Sequence, residues 1–316
     1  MFELSEPPLF ARLSAARRIL IAGAGGGFDV YAGLPLALAL AKQGKQISFA
    51  NLSFADLSTV DDWLAPDVAI VGPSTRGPAD YFPERTFARW LAGTELAPVV
   101  HAFPRVGARR LRTAYEALVE HLGVDTIVLV DGGTDILLRG DESGLGTPVE
   151  DMASLSAVAA LDGLDRVVVC LGFGIDSHHG VDHADVLENL AALDRDGHFL
   201  GAFSIPSASA EATAYREAVE HAAKATAVRP SIVNGQIAAA LSGAFGNVGL
   251  GARTAGSELF VNPLMAMYFA VDLLGLARSV GYLELLAETD TPAQIAAVIE
   301  TYREGITLRP SRRIPH

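Results

Sequence analysis

Three apolar runs of this chain each end in a glycine-rich turn that delivers an aspartate: Leu20-Ile-Ala-Gly-Ala-Gly-Gly-Gly-Phe-Asp29, Val128-Leu-Val-Asp-Gly-Gly-Thr-Asp135 and Val169-Cys-Leu-Gly-Phe-Gly-Ile-Asp176. Carboxylates on such turns can converge on one hard cation or one sugar diol. Crowded together they repel, which raises a pKa into the range where general acid or base catalysis works. The second turn opens the stretch Asp131 to Asp151, which packs six acids and five glycines around one arginine, Arg139. Asp131 and Asp135 lie nearest the strand end and are its candidates for chemistry. Asp141 and Glu142 also fit a salt-bridged surface loop with Arg139. Thr147-Pro-Val-Glu150 reads as a helix start, with Thr147 as cap, Glu150 as its capping-box partner and Asp151 in the same turn.

The first turn suits an anion as well. Gly23, Gly25, Gly26 and Gly27 follow a strand and open a helix, where bare amides and the positive helix end favour phosphate. The pattern departs from the dinucleotide fingerprint at Phe28, and Asn51 rather than an acid ends the second strand. Asp29 would repel a phosphate there, yet it can accept from a ribose hydroxyl or cap the helix. Tight strand-to-helix packing also accounts for the glycines. The third turn runs into Ser177-His-His-Gly-Val-Asp-His183. Asp176, His178, His179, Asp182 and His183 can ligate a transition metal or form a base with its orienting acid, although their spacing matches no standard zinc signature. Farther on, Asn234, Arg253, Thr254, Ser257, Glu258 and Asn262 are polar groups in apolar sequence, which need partners in the protein or in a ligand. Arg253 is the natural anion clamp.

Seven short runs position these turns: Arg18 to Ala22, Gln46 to Ala50, Val68 to Gly72, Val99 to Phe103, Thr126 to Asp131, Val167 to Gly172 and Phe199 to Ile205. They are apolar on both faces, as strands buried between helix layers are. Helical patterns alternate with them at Val30 to Lys42, Arg109 to His121, Val149 to Leu161, Ala184 to Leu193 and Ala210 to Thr226. The expected fold is therefore α/β, a Rossmann-like three-layer arrangement around a mostly parallel sheet of about seven strands. A single domain spanning 1–316 is expected, with a mainly helical and loop portion from 244 to 316 that holds the apolar segment Leu264 to Ala277 and a last helix near Pro292 to Tyr302. Loops at the carboxyl ends of parallel strands share one sheet edge, so Asp29, Asp135 and Asp176 should meet there.

Half of the 316 residues are hydrophobic, enough for a sizeable core without staples. The one cysteine, Cys170, lies in an apolar run and reads as an inert buried thiol; with no disulfide possible within the chain, a reducing cytoplasm fits. The amino terminus lacks signal-peptide order and no apolar run is long enough to span a bilayer, so a soluble protein is expected, with no membrane partner. A net charge of -13 disfavours nucleic acid. The run Leu264-Met-Ala-Met-Tyr-Phe reads as core or as a subunit contact, consistent with a homo-oligomer.

The segments AGAGGGFDVYAGLPLA, DGGTDILLRGDESGLGTPVEDMASLSAV, GFGIDSHHG and RTAGSELFVNPLMAMYF resemble, over nearly the whole chain, the prokaryotic family called domain of unknown function 1152. That resemblance implies a Rossmann-like fold and supplies no activity. The order Gly23-Ala-Gly25, Gly33-Leu-Pro35, Ile175-Asp176, His179-Gly180 and Gly256-Ser-Glu-Leu-Phe-Val-Asn-Pro263 also resembles the sirtuin-like NAD-binding proteins, but Gly174 replaces their asparagine and their zinc cysteines are missing. It implies NAD-type contacts at the loop Gly23 to Gly27, Asp176 and His179, and no deacylase activity. The function expected from these readings is an enzyme that binds a nucleotide, nucleoside or phosphoribosyl compound and cleaves or transfers an N-ribosyl bond. NAD or another nucleotide and a divalent metal are the candidate cofactors. Asp131, Asp135, Asp176, His178 and His179 would act in catalysis, and Gly23, Gly25, Gly26, Gly27, Asp29, Arg253, Ser257 and Asn262 in binding. An NAD(P)-dependent oxidoreductase and a non-catalytic nucleotide sensor are the alternatives.

Overall fold

The computed structural model of the protein describes residues 5–249 and 259–312. The chain enters through α1 (Pro8–Arg12) and lays down β1 (Arg18–Gly23). The helix expected from Val30 to Lys42 is two, α2 (Asp29–Ala32) and α3 (Leu34–Lys42), which break at Gly33. The break is steric. A Cβ at Gly33 would lie 2.4 Å from Ile21 Cγ2, so the junction rides directly on β1. Pro35 then sits in the first turn of α3, where its missing N–H costs nothing. β2 (Gln46–Leu52) follows, then the hairpin of β3 (Trp63–Ala65) and β4 (Val68–Val71), turned at Asp67 in the left-handed region, which aspartate tolerates.

Helix and strand then alternate: α4 (Pro83–Leu91) and β5 (Val100–Phe103), α5 (Ala108–Leu122) and β6 (Thr126–Asp131), α6 (Pro148–Ala159) and β7 (Asp165–Leu171), α7 (His183–Arg195) and β8 (Phe199–Ser204). After α8 (Ala210–Ala225) and α9 (Ile232–Leu241), the two-residue strands β9 (Gly246–Asn247) and β10 (Phe260–Val261) form a separate antiparallel ribbon. β11 (Met267–Asp272), α10 (Leu273–Ser279) and α11 (Pro292–Glu304) complete the described chain.

The main sheet has nine strands in the order β3-β4-β5-β2-β1-β6-β7-β11-β8. All seven expected strands are in it, joined by β3 and β11. The inner five, β5 to β7, are parallel. β4 runs antiparallel to β5, and β11 runs antiparallel to both β7 and β8, so the C-terminal portion contributes an interior strand as well as helices and loops. Side chains alternate across the sheet, as the strand period requires. On β6, Ile127 and Leu129 enter the core shared with α5, α6, α10 and α11, while Val128 and Val130 enter the one shared with α2, α3, α8 and α9. Helices thus cover both faces in three layers. No helix of the described residues is long and apolar enough to cross a membrane.

From β1 the chain moves outward through β2 to β5, then returns to place β6 on the other side of β1. The strand order reverses between β1 and β6, and the carboxyl ends of strands at such a switch point are the usual ligand position in open sheets. The turn carrying Asp29 and the strand end carrying Asp131 flank it.

Candidate functional site

Five aspartates meet at this switch point. Asp29 begins α2, Asp131 ends β6, Asp135 opens the 3-10 turn Asp135–Leu137, and Asp176 lies in the turn Ile175–His179 after β7. The fifth, Asp151, comes from the first turn of α6. That helix is tied to the first glycine turn by a 2.7 Å hydrogen bond from Ser154 Oγ to the Ala24 carbonyl. One carboxylate oxygen each from Asp29, Asp131 and Asp151 lie within 4.8 Å of one another.

Each acid is held by a backbone donor or left open. The Gly25 amide donates to Asp29 Oδ2 at 2.7 Å, the Thr134 amide to Asp176 Oδ2 at 2.7 Å, and the Thr147 amide and hydroxyl to Asp135 Oδ2 at 2.7 and 3.1 Å. The Ile136 amide makes a long bond of 3.4 Å to Asp131. Asp151 Oδ1 is buried with no partner. Among the described residues, no Lys or Arg forms an ion pair with any of the five.

Burial without a countercharge has a titration consequence. An edge of Asp29 reaches solvent, yet desolvation raises its carboxyl to about 7, with the charge of Asp135 adding and the amides of Gly25, Gly132 and Gly26 opposing. Burial pushes Asp131, Asp151 and Asp176 well above the usual carboxylate range, and neighbouring aspartates push the same way. Asp135 is also raised by burial, though its Thr147 bonds and then the nearby His179 pull it back. The recess is thus a set of hard oxygen ligands that must hold protons or a cation.

The glycines belong to this arrangement. A Cβ at Gly25 would stand 2.7 Å from Asp151 Oδ1 and 2.8 Å from Asp29 Oδ2, one at Gly132 2.8 Å from Asp29 Oδ1, and one at Gly133 2.8 Å from both oxygens of Asp176. The amides expected to receive phosphate are engaged inside the protein: Gly25 and Gly26 bond Asp29, and the Gly27 amide bonds the Leu52 carbonyl. A Cβ at Gly23 would meet Asn51 Oδ1 at 2.1 Å. Asn51 in turn donates to the Gly27 carbonyl and, at 2.7 Å, to Glu84, a fully buried acid that burial raises to about 7.

His178 and His179 are exposed on their turn at the rim, with His179 near enough to Asp135 to favour its ionised form. His183 is half-buried against Phe173, and burial lowers its pKa. Asp182 faces the tail, accepting from the Arg312 amide. Asn262 donates to the Phe173 carbonyl and accepts from Leu264 N, while buried Asn234 bonds Tyr215, Ser231 and the Phe28 carbonyl; both are structural here. Arg253, Thr254, Ser257 and Glu258 lie outside the described residues.

The remaining acids of the Asp131 to Asp151 stretch take other partners. No capping box forms at α6, because the Thr147 hydroxyl goes to Asp135, and Glu150 accepts two bonds from Arg105. Glu142 is no surface residue: fully buried, it accepts from the amides of Arg139 and Gly140, from Asn189 and from Arg309. Arg309 also binds Asp141 and Glu188, which straps the C-terminal segment to α7. Cys170 pairs in register with Asp131; burial first, then the aspartate charges, push its thiol up, which keeps it unreactive.

Asp151 is the member that a reading of motifs passes over. No local signal sets it apart, because α6 is buried without a break from Glu150 to Val158 and its period does not separate Asp151 from its neighbours. No curated protein matches the chain in sequence. The family described as "Protein of unknown function (DUF1152)" matches residues 51–306, most of the chain and four of the five aspartates, and the protein belongs to that family.

Proposed function

We propose that the recess is a divalent-cation centre at which the N-ribosyl bond of a nucleoside or nucleotide is cleaved or transferred. The carrying observation is the convergence of Asp29, Asp131 and Asp151, one oxygen each within 4.8 Å of one another, together with the unpartnered Asp151 Oδ1 and no ion pair to any of them from a Lys or Arg among the described residues. Buried charges need partners, and clustered carboxylates suit an ion with hard oxygen preference. A bound cation would polarise a water or grip the ribose hydroxyls. The carboxylates would stabilise the positive charge that grows on the sugar as the bond to the base breaks. Asp176, with His179 at the rim, would move the proton for water or for the leaving base. The engagement of the Gly25 to Gly27 amides favours this reading over a dinucleotide oxidoreductase, whose pyrophosphate would use them.

The test is incubation of the pure protein with NAD and a nucleoside panel, with and without Mg²⁺ or Mn²⁺, and chromatography of the free base. Metal-dependent release that falls at least 100-fold in Asp131→Asn and in His179→Gln is expected, with Mn²⁺ affinity kept in His179→Gln. Tight Mn²⁺ and nucleoside binding without any turnover would instead select the sensor.

A further inference from the structure

Next to the recess lies a second feature that the cation chemistry does not use. Phe54 follows the end of β2, and its ring packs on the glycine turn: a Cβ at Gly26 would lie 2.9 Å from Phe54 Cε1, and one at Gly27 3.4 Å from Phe54 Cδ2. Phe54 is nevertheless 46% exposed and Trp63 41% exposed, and both line one open cleft of about 350 Å³ with Ser53, Leu57, Pro104 and Arg105. The Arg105 guanidinium stands 5.2 Å from the centroid of the Phe54 ring. It is held there through Nε and Nη2 by Glu150, the residue before Asp151, and bonds no described residue through Nη1. One turn therefore separates an aromatic face from the carboxylates, and one pair of adjacent residues on α6 holds both the arginine and a ligand of the recess.

We infer that this cleft is the base subsite of the same centre: it takes the planar heteroaromatic ring of a nucleoside against Phe54 and Trp63, while Arg105 Nη1 donates to a ring nitrogen or carbonyl. The inference rests on the cation-centre reading, in which the ribose of a base seated there would reach across the Gly25 to Gly27 turn toward the aspartates. Three features favour a nucleobase over an aliphatic group. Two part-exposed aromatic side chains share one cleft, a guanidinium stands over one of them, and Phe54 lies outside the buried cores. Base stacking on an aromatic side chain is sequence-tolerant, so purines and pyrimidines should both bind.

The experiment is isothermal titration of the full chain with adenosine, uridine and ribose 5-phosphate, each in Mn²⁺, alongside titration with Mn²⁺ alone. Wild type should bind both nucleosides at least tenfold more tightly than ribose 5-phosphate. Phe54→Leu, which keeps an apolar side chain but removes the ring, should weaken nucleosides about tenfold and leave Mn²⁺ and ribose 5-phosphate within twofold; Phe54→Trp should restore the nucleosides. Equal nucleoside affinity in wild type and Phe54→Leu, or no preference of wild type for nucleosides over ribose 5-phosphate, overturns the subsite. So does a Phe54→Leu loss that Phe54→Trp fails to restore. Absence of Mn²⁺ binding to wild type would instead refute the cation centre, and the nucleoside comparison would then decide the cleft by itself.

Discussion

Removing one acid from the recess should stabilise the metal-free protein, the reverse of what deleting a buried, hydrogen-bonded group usually does. The substitution is Asp151→Asn, nearly isosteric and aimed at the residue whose Oδ1 has no partner. Two ionised oxygens within 4.8 Å repel by about 3 kcal/mol at an effective dielectric constant of about 20. Asp151 faces two such neighbours, Asp29 and Asp131, and the wild type escapes most of this cost by keeping protons. Every carboxyl of the five stands above its ordinary value, so the folded chain holds protons that the unfolded chain has already released. The contribution of these five carboxyls to the stability of the metal-free protein is therefore full below about pH 4 and is lost as pH rises through the folded values, about 7 for Asp29.

At pH 8, Asp151→Asn should gain about 2 kcal/mol, a rise in Tm of roughly 3 °C for a chain of this size. At pH 5 the difference should shrink below ~1 °C. Mn²⁺ at about 100 times its Kd should stabilise wild type at pH 8 by about 2.7 kcal/mol and leave the variant unmoved. Differential scanning fluorimetry over pH 4 to 9, in chelator and in Mn²⁺, reads all of this. A variant that melts lower than wild type at pH 8 without metal, or that gains as much from Mn²⁺, would refute both the electrostatic argument and the placement of Asp151 among the ligands.

Three further outcomes follow from neighbouring contacts. Gly25→Ala needs no unusual backbone angle but drives a methyl between Asp29 and Asp151, so Mn²⁺ affinity by calorimetry should fall at least tenfold while the fold persists by circular dichroism. Asn189→Ala strips buried partners from Glu142, Arg139 and the Leu137 carbonyl, and should cost about 2 to 3 kcal/mol in urea unfolding. Arg309→Ala leaves Glu142 buried without its cation and releases the strap on α7; limited proteolysis should then trim the C-terminal segment at least tenfold faster than in wild type.

Much of this was legible because strands buried on both faces write themselves as continuous apolar runs, and because glycine followed by aspartate at a strand end marks a sheet edge. The convergence of Asp29, Asp131, Asp135 and Asp176 follows from those two facts alone. Other features escape for physical reasons. β11 is a short apolar run, Met267-Tyr-Phe-Ala-Val-Asp272, and a buried strand of that length has no periodicity to separate it from a core segment. β3 has three residues, none buried. Asp151 and Glu150 share a helix start, where acids are ordinary; only the direction of each side chain separates the ligand of the recess from the partner of Arg105. Glu84 was invisible because α4 begins at a proline within polar sequence, and nothing local announces that its first turn is buried against Asn51.

The position of β11 sets an order on synthesis. β7 and β8 leave the ribosome long before the strand that must lie between them, so β8 cannot join the growing sheet when it emerges and the edge of β7 waits unpaired. All five aspartates have been made by then. The nascent chain should therefore assemble its acidic recess beside an open, apolar strand edge, the kind of surface that chaperones hold and that aggregates when they do not.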